Sequence, residues 1–114
     1  MDRRAAVEAL VELRGEIAHV VSVARSFPFD SDETLVTLTC AHIDAILERY
    51  LRGTLGAGEV ECWADAVEGR DDIQYREGPE EKIADLLFRL SSPEINEPLS
   101  PAVAQALRSD LGRL

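Results

Sequence analysis

Proline and glycine cut this chain into short lengths, and that punctuation limits the fold more than any other feature. Pro28, Pro79, Pro93, Pro98 and Pro101 lack a backbone donor and disfavour helix just before themselves, and the run GTLGAG at 53–58 reads as a loop. Between these breaks the apolar residues recur at three- and four-residue intervals, the signature of helices with one buried face. A chain of 114 residues has room for one core. The expected architecture is therefore an all-α, single-domain bundle spanning 1–114. It has about five mostly antiparallel helices and an irregular Pro-rich stretch before the last one.

The first 25 residues read as one long amphipathic helix, with Leu10, Leu13, Ile17, Val20, Val21 and Ala24 on its stripe. Gly15 weakens its middle and Pro28 ends it. A second helix is expected from about Asp30 to Arg52, with Asp30 and Glu33 at capping-box spacing, Ser31 or Asp32 as equal candidates for the cap, and Gly53 as its stop. Within it, Thr34–Cys40 alternates threonine with apolar residues, so a strand competes there. The continuation through Ile43, Ile46, Leu47, Tyr50 and Leu51 favours the helix. A short helix over 59–68 buries Val60, Trp63, Ala64 and Val67, and 70–78 reads as irregular. Pro79 then opens a helix buried through Ile83, Leu86, Leu87 and Leu90. Ser100-Pro101 opens the last, with Val103, Ala106, Leu107 and Leu111 inward.

Charge is the strongest global property. The formal net value is −10, and residues 59–97 hold twelve acids against four bases. Such a surface repels the phosphates that supply most nucleic-acid affinity, and it attracts basic macromolecules. Charges interrupt every apolar run, so no membrane span is expected, and the N-terminus lacks the uninterrupted apolar region of a signal peptide. The expected location is cytoplasmic, with Cys40 and Cys62 as buried thiols rather than a disulfide.

Chemistry-bearing patterns are sparse. Glu16-Ile-Ala-His19 has the Glu-x-x-His spacing of di-iron bundles, but no second copy accompanies it. His19 reads instead as a partly buried side chain near the first apolar stripe. Cys40-Ala-His42 is not a zinc-knuckle spacing. No nucleophile elbow, phosphate loop or dinucleotide fingerprint is present. A carboxylate pair such as Glu68 with Asp72 has no matching nucleophile. No catalytic residue, metal ligand or cofactor is assigned, and the chain reads as a non-enzyme.

The stretch WADAVEGRDDIQY at 63–75 is different. Glu61, Asp65 and Glu68 fall at i, i+4 and i+7 and line one helix face, where like charges repel. Asp65 and Glu68 also sit toward the negative end of the helix dipole. Asp71 and Asp72 extend the acid, with Arg70 the only obvious local neutraliser, and Ile73 and Tyr75 place apolar and aromatic surface beside it. One reading is a solvated face that keeps the chain soluble. The other is a binding surface for a basic protein, made of Glu61, Asp65, Glu68, Asp71, Asp72, Ile73 and Tyr75.

The segment DDIQYREGPEEKI resembles the recognition region of small acidic helical immunity proteins that neutralise colicin-type nuclease toxins. The stretch WADAVEGRDD is also similar to segments of small uncharacterised bacterial proteins. By the immunity resemblance, Asp72, Ile73 and Tyr75 match the tyrosine-bearing segment, and Glu33 with Thr34, Leu35 and Val36 matches the start of the acidic specificity helix. The chain is longer than that family, has one tyrosine where it pairs two, and has a more apolar second helix. The resemblance implies an inhibitor that covers the basic surface of a cognate toxin. The competing expectation is an adaptor that homodimerises through the apolar faces of the first two helices.

Overall fold

The computed structural model describes residues 2–112, so Met1, inside the expected first helix, lies outside them. The described residues form six helices and two short strands: α1 (Arg3–Glu12), α2 (Ile17–Arg25), β1 (Val36–Leu38), α3 (Cys40–Leu51), α4 (Ala57–Val67), β2 (Ile73–Tyr75), α5 (Glu80–Ser91) and α6 (Pro101–Leu111). The molecule is mostly helical with a small parallel sheet, which corrects the expectation of five helices and no strand.

The single long helix expected over the first 25 residues is two. Leu13 takes a left-handed conformation at φ 49°, and Gly15 follows at φ 129°, a value that side chains rarely adopt. Two distant side chains hold this break. Trp63 Nε1 donates to the Leu10 carbonyl at 2.9 Å, and Arg49 Nη1 donates to the Leu13 carbonyl at 3.1 Å. Each carbonyl also accepts one backbone N–H, Leu10 from Leu13 and Leu13 from Gly15, so the two side chains supply second donors at the end of α1. The apolar stripe nevertheless stays on one side, because α1 packs on α2 and both face the core. Val7, Leu10, Val11, Val20, Val21 and Ala24 of the first expected helix, and Ile43, Ile46 and Leu47 of the second, are all buried, so the apolar faces assigned to a homodimer pack within this chain.

The second expected helix also divides. Among the described residues no helix starts at 30–33; Val36–Leu38 is a strand and the helix begins at Cys40. Thr39 is its N-cap, and the Thr39 N–H donates to His42 Nδ1 at 3.0 Å. β1 pairs in parallel with β2, Val36 opposite Ile73 and Leu38 opposite Tyr75. The intervening α3 and α4 supply the crossover that parallel strands require. The alternation of Thr34–Cys40 is thus that of a half-buried strand: Leu38 is buried, while Thr37 is exposed and its hydroxyl accepts from Gln74 Nε2 at 2.9 Å. Pro79 precedes α5 as its N-cap rather than its first residue.

One apolar cluster joins every helix and both strands, centred on Trp63, Leu10, Ile43, Leu47, Ile83 and Leu86. The expected faces of α4 and α5 are the buried ones. On α6 the inward alanine is Ala104; Ala106 is exposed. Both cysteines are free and half-buried, not fully buried.

Candidate protein-binding surface

The helical period of α4 puts Val60, Trp63, Ala64 and Val67 into the core and leaves Glu61 and Asp65 exposed on the other side. Glu61 makes no ion pair among the described residues, and Asp65 reaches only Arg25, at 3.7 Å on an open surface. Such a contact contributes little. Glu68, at the end of the same face, is half-buried and accepts from Ser91 Oγ of α5 at 2.9 Å. Asp71 is exposed, and among the described residues only its backbone is engaged, donating to the Phe29 carbonyl at 2.9 Å.

Asp72 and Ile73 lie elsewhere, which corrects their placement on the acidic surface. Asp72 is fully buried, and Ile73 is packed in the core on β2. The Asp72 carboxylate takes Arg70 Nε at 2.9 Å and Nη2 at 3.0 Å, and Arg3 Nε at 2.9 Å. Burial works to raise its pKa, but the hydrogen bonds and charges of Arg70 and Arg3 outweigh burial and hold it below the ordinary carboxylate range. Arg70 also donates to the Ala24 carbonyl at 3.3 Å and lies 4.8 Å from the Phe29 ring centroid. Arg3 donates to the Pro28 and Asp30 carbonyls at 2.6 and 2.8 Å. This network ties α1 and the 27–30 segment to the turn before β2. Its role is architectural. Arg70, read from sequence as the neutraliser of the surface, neutralises a core carboxylate instead.

Tyr75 is half-buried beside Leu38. Burial, and then the Glu68 carboxylate, push its hydroxyl pKa up, so the phenol stays protonated and can donate. The surface acids therefore comprise Glu61, Asp65 and Asp71, with Glu68 and Tyr75 at its inner margin. Trp63 contributes nothing to it: the ring is buried and its N–H is spent on Leu10.

A groove that no motif in the sequence marks lies at one end of this face, where α4, α5, α6 and the 93–99 segment enclose about 430 Å³. Glu61 of α4, Asp85 of α5 and Glu97 stand around it, with Phe88, Leu99 and Val103 as apolar wall. The signal available in the sequence was Phe88, an aromatic on the outward side of α5 that is 42% exposed.

Among the described residues no three His, Cys, Asp or Glu side chains gather where they could hold a metal ion. His19 and Glu16 are both exposed, Glu16 as the N-cap of α2. No described helix is long and apolar enough to cross a membrane. Comparison with known protein families, characterised proteins and solved structures gives no match.

Proposed function

We propose that this chain is a protein-interaction module whose acidic surface docks on the basic surface of a partner protein. The observation that carries the reading is the state of the acids on α4 and the following turn. Glu61, Asp65 and Asp71 remain exposed, and the one cation within 4 Å of any of them, among the described residues, is Arg25. A helix keeps like charges at i and i+4 at a small penalty to itself, and Arg70, the nearest base in sequence, is turned inward to Asp72. A field of one sign raises the encounter rate with a basic partner.

Inhibition of a nuclease toxin, in the manner of immunity proteins, is the specific form this takes in the proposal. The acid and Tyr75 support it. Glu33 and Thr34, assigned by that resemblance to a helix start, lie in the irregular segment before β1, so the second element of the resemblance adds no support.

The test is capture from source lysate with the wild-type chain and with Glu61→Lys, Asp65→Lys and Asp71→Lys combined, leaving Asp72 untouched so that folding is preserved. A basic protein held by the wild type and released by the variant is the expected result. Equal recovery by both baits contradicts the proposal, and assigns the acid to solubility.

A further inference from the structure

Prolines 93, 98 and 101 keep the chain between α5 and α6 out of helix, so an open groove lies where a continuous helix interface would otherwise close. Its floor is apolar and firm: Leu90 and Leu107 are 5% and 4% exposed. Its rim is acidic. Glu61, Asp85 and Glu97 face one base, Arg89, whose Nε already pairs with Asp85 at 3.1 Å. Glu61 and Glu97, on two different walls, are left to act on an occupant. The negative end of the α5 dipole lies at Leu90 and Ser91 beside the groove, and adds to the same sign. The positive end of α4 is answered locally by Glu59, whose carboxylate accepts the Gly56 N–H at 3.0 Å.

We propose that the groove receives an apolar side chain flanked by lysine or arginine, carried on an amphipathic cationic segment of the basic partner; the inference rests on the reading of the acidic surface above. The volume of about 430 Å³ is that of a ligand-sized site, and the walls match both halves of such a segment. A second copy of this chain is a poor occupant, because its net charge of −10 meets carboxylates of the same sign.

The experiment is an NMR titration of the labelled full chain with two synthetic helical peptides. One carries leucines at i, i+3, i+4 and i+7 with lysines elsewhere, and the other replaces each leucine by serine. The leucine peptide is expected to shift amides over 57–61, 85–90 and 96–99 saturably, and to bind at least about tenfold more tightly than the serine peptide. Gly58 lines the groove and a Cβ built on it meets nothing within 4 Å, so Gly58→Phe should occupy the groove and abolish those shifts. Phe88→Ala, at an exposed wall residue, should weaken them, and Glu61→Gln with Glu97→Gln should weaken them further.

Shifts confined to Asp65 and Asp71, equal for both peptides, overturn the groove and leave the acidic surface standing. Groove shifts that survive Glu61→Gln and Glu97→Gln unchanged, and ignore salt, overturn the cationic occupant. Silence at Asp65 and Asp71 with the groove filled overturns the reading of the surface instead. A dimer seen by light scattering and dissociated by Gly58→Phe overturns the proposal by seating a second copy in the groove.

Discussion

Asp71 and Asp72 are neighbours with opposite fates. Asp72 is closed over by two arginines inside the fold, so Asp72→Asn leaves Arg70 charged, buried and short of its partner. Losing one member of such a pair costs about 3–5 kcal/mol, measurable by urea denaturation, whereas Asp71→Asn should stay within about 0.5 kcal/mol. Nothing local distinguishes the two carboxylates. Asp72 pairs with Arg3, 69 residues away, and no periodicity within the 63–75 stretch encodes that contact. Because folding lowers the pKa of Asp72, its contribution is complete above about pH 3.9, the unfolded value, and is lost as pH falls through the folded value. His42 adds an earlier acid-sensitive step. Burial lowers its pKa, with Glu12 opposing, and its Nδ1 accepts the Thr39 N–H only while that nitrogen is unprotonated. A lowered base pKa means stability held above about pH 6.5 and lost as pH falls through the folded value. His42→Gln keeps an acceptor at the third helical position, so it should preserve stability at pH 7 while removing that part of the acid slope, followed by thermal melts across pH.

At the scale of elements, the break between α1 and α2 and the start of α4 make a contrasting pair. Gly15 sits at φ 129°, and an added Cβ would touch Val20 Cγ1 at an ordinary 3.6 Å, so Gly15→Ala is penalised by backbone strain alone, by about 1–3 kcal/mol. Gly58 lies in α4 with open space around it, and Gly58→Ala should stabilise by about 0.4–1 kcal/mol, both read from urea midpoints. The faces of α4 and α5 were legible because each is a helix whose burial follows one stripe. The break at Leu13 was not, since it depends on Trp63 and Arg49 arriving from other helices. Thr34–Cys40 carried a visible strand alternation that lost to the helical spacing beyond it. Its pairing partner, Ile73–Tyr75, is only three residues long and distant in sequence. In the candidate site, exposure of Glu61 and Asp65 followed from the stripe, while burial of Asp72 and Ile73 followed from the sheet and the ion network. The groove depends on three helices and a Pro-rich turn meeting in space, which no single segment records.

For the whole molecule, the proposed function gives the net charge of −10, concentrated over 59–97, one task, that of bringing in a basic partner. Electrostatic steering acts chiefly on association, and screening shortens its reach from about 10 Å at 0.1 M salt to about 3 Å at 1 M. The apolar groove acts mainly on dissociation, so the two parts of the surface separate kinetically. The most direct measurement is therefore the association rate of the captured partner as a function of ionic strength, for the wild-type chain and for the variant with Glu61, Asp65 and Asp71 changed to lysine. The wild-type rate is expected to fall at least about tenfold over that salt range, and the variant rate to be slow and nearly flat. A wild-type rate indifferent to salt, or a variant that associates as fast as the wild type, would contradict the proposed function.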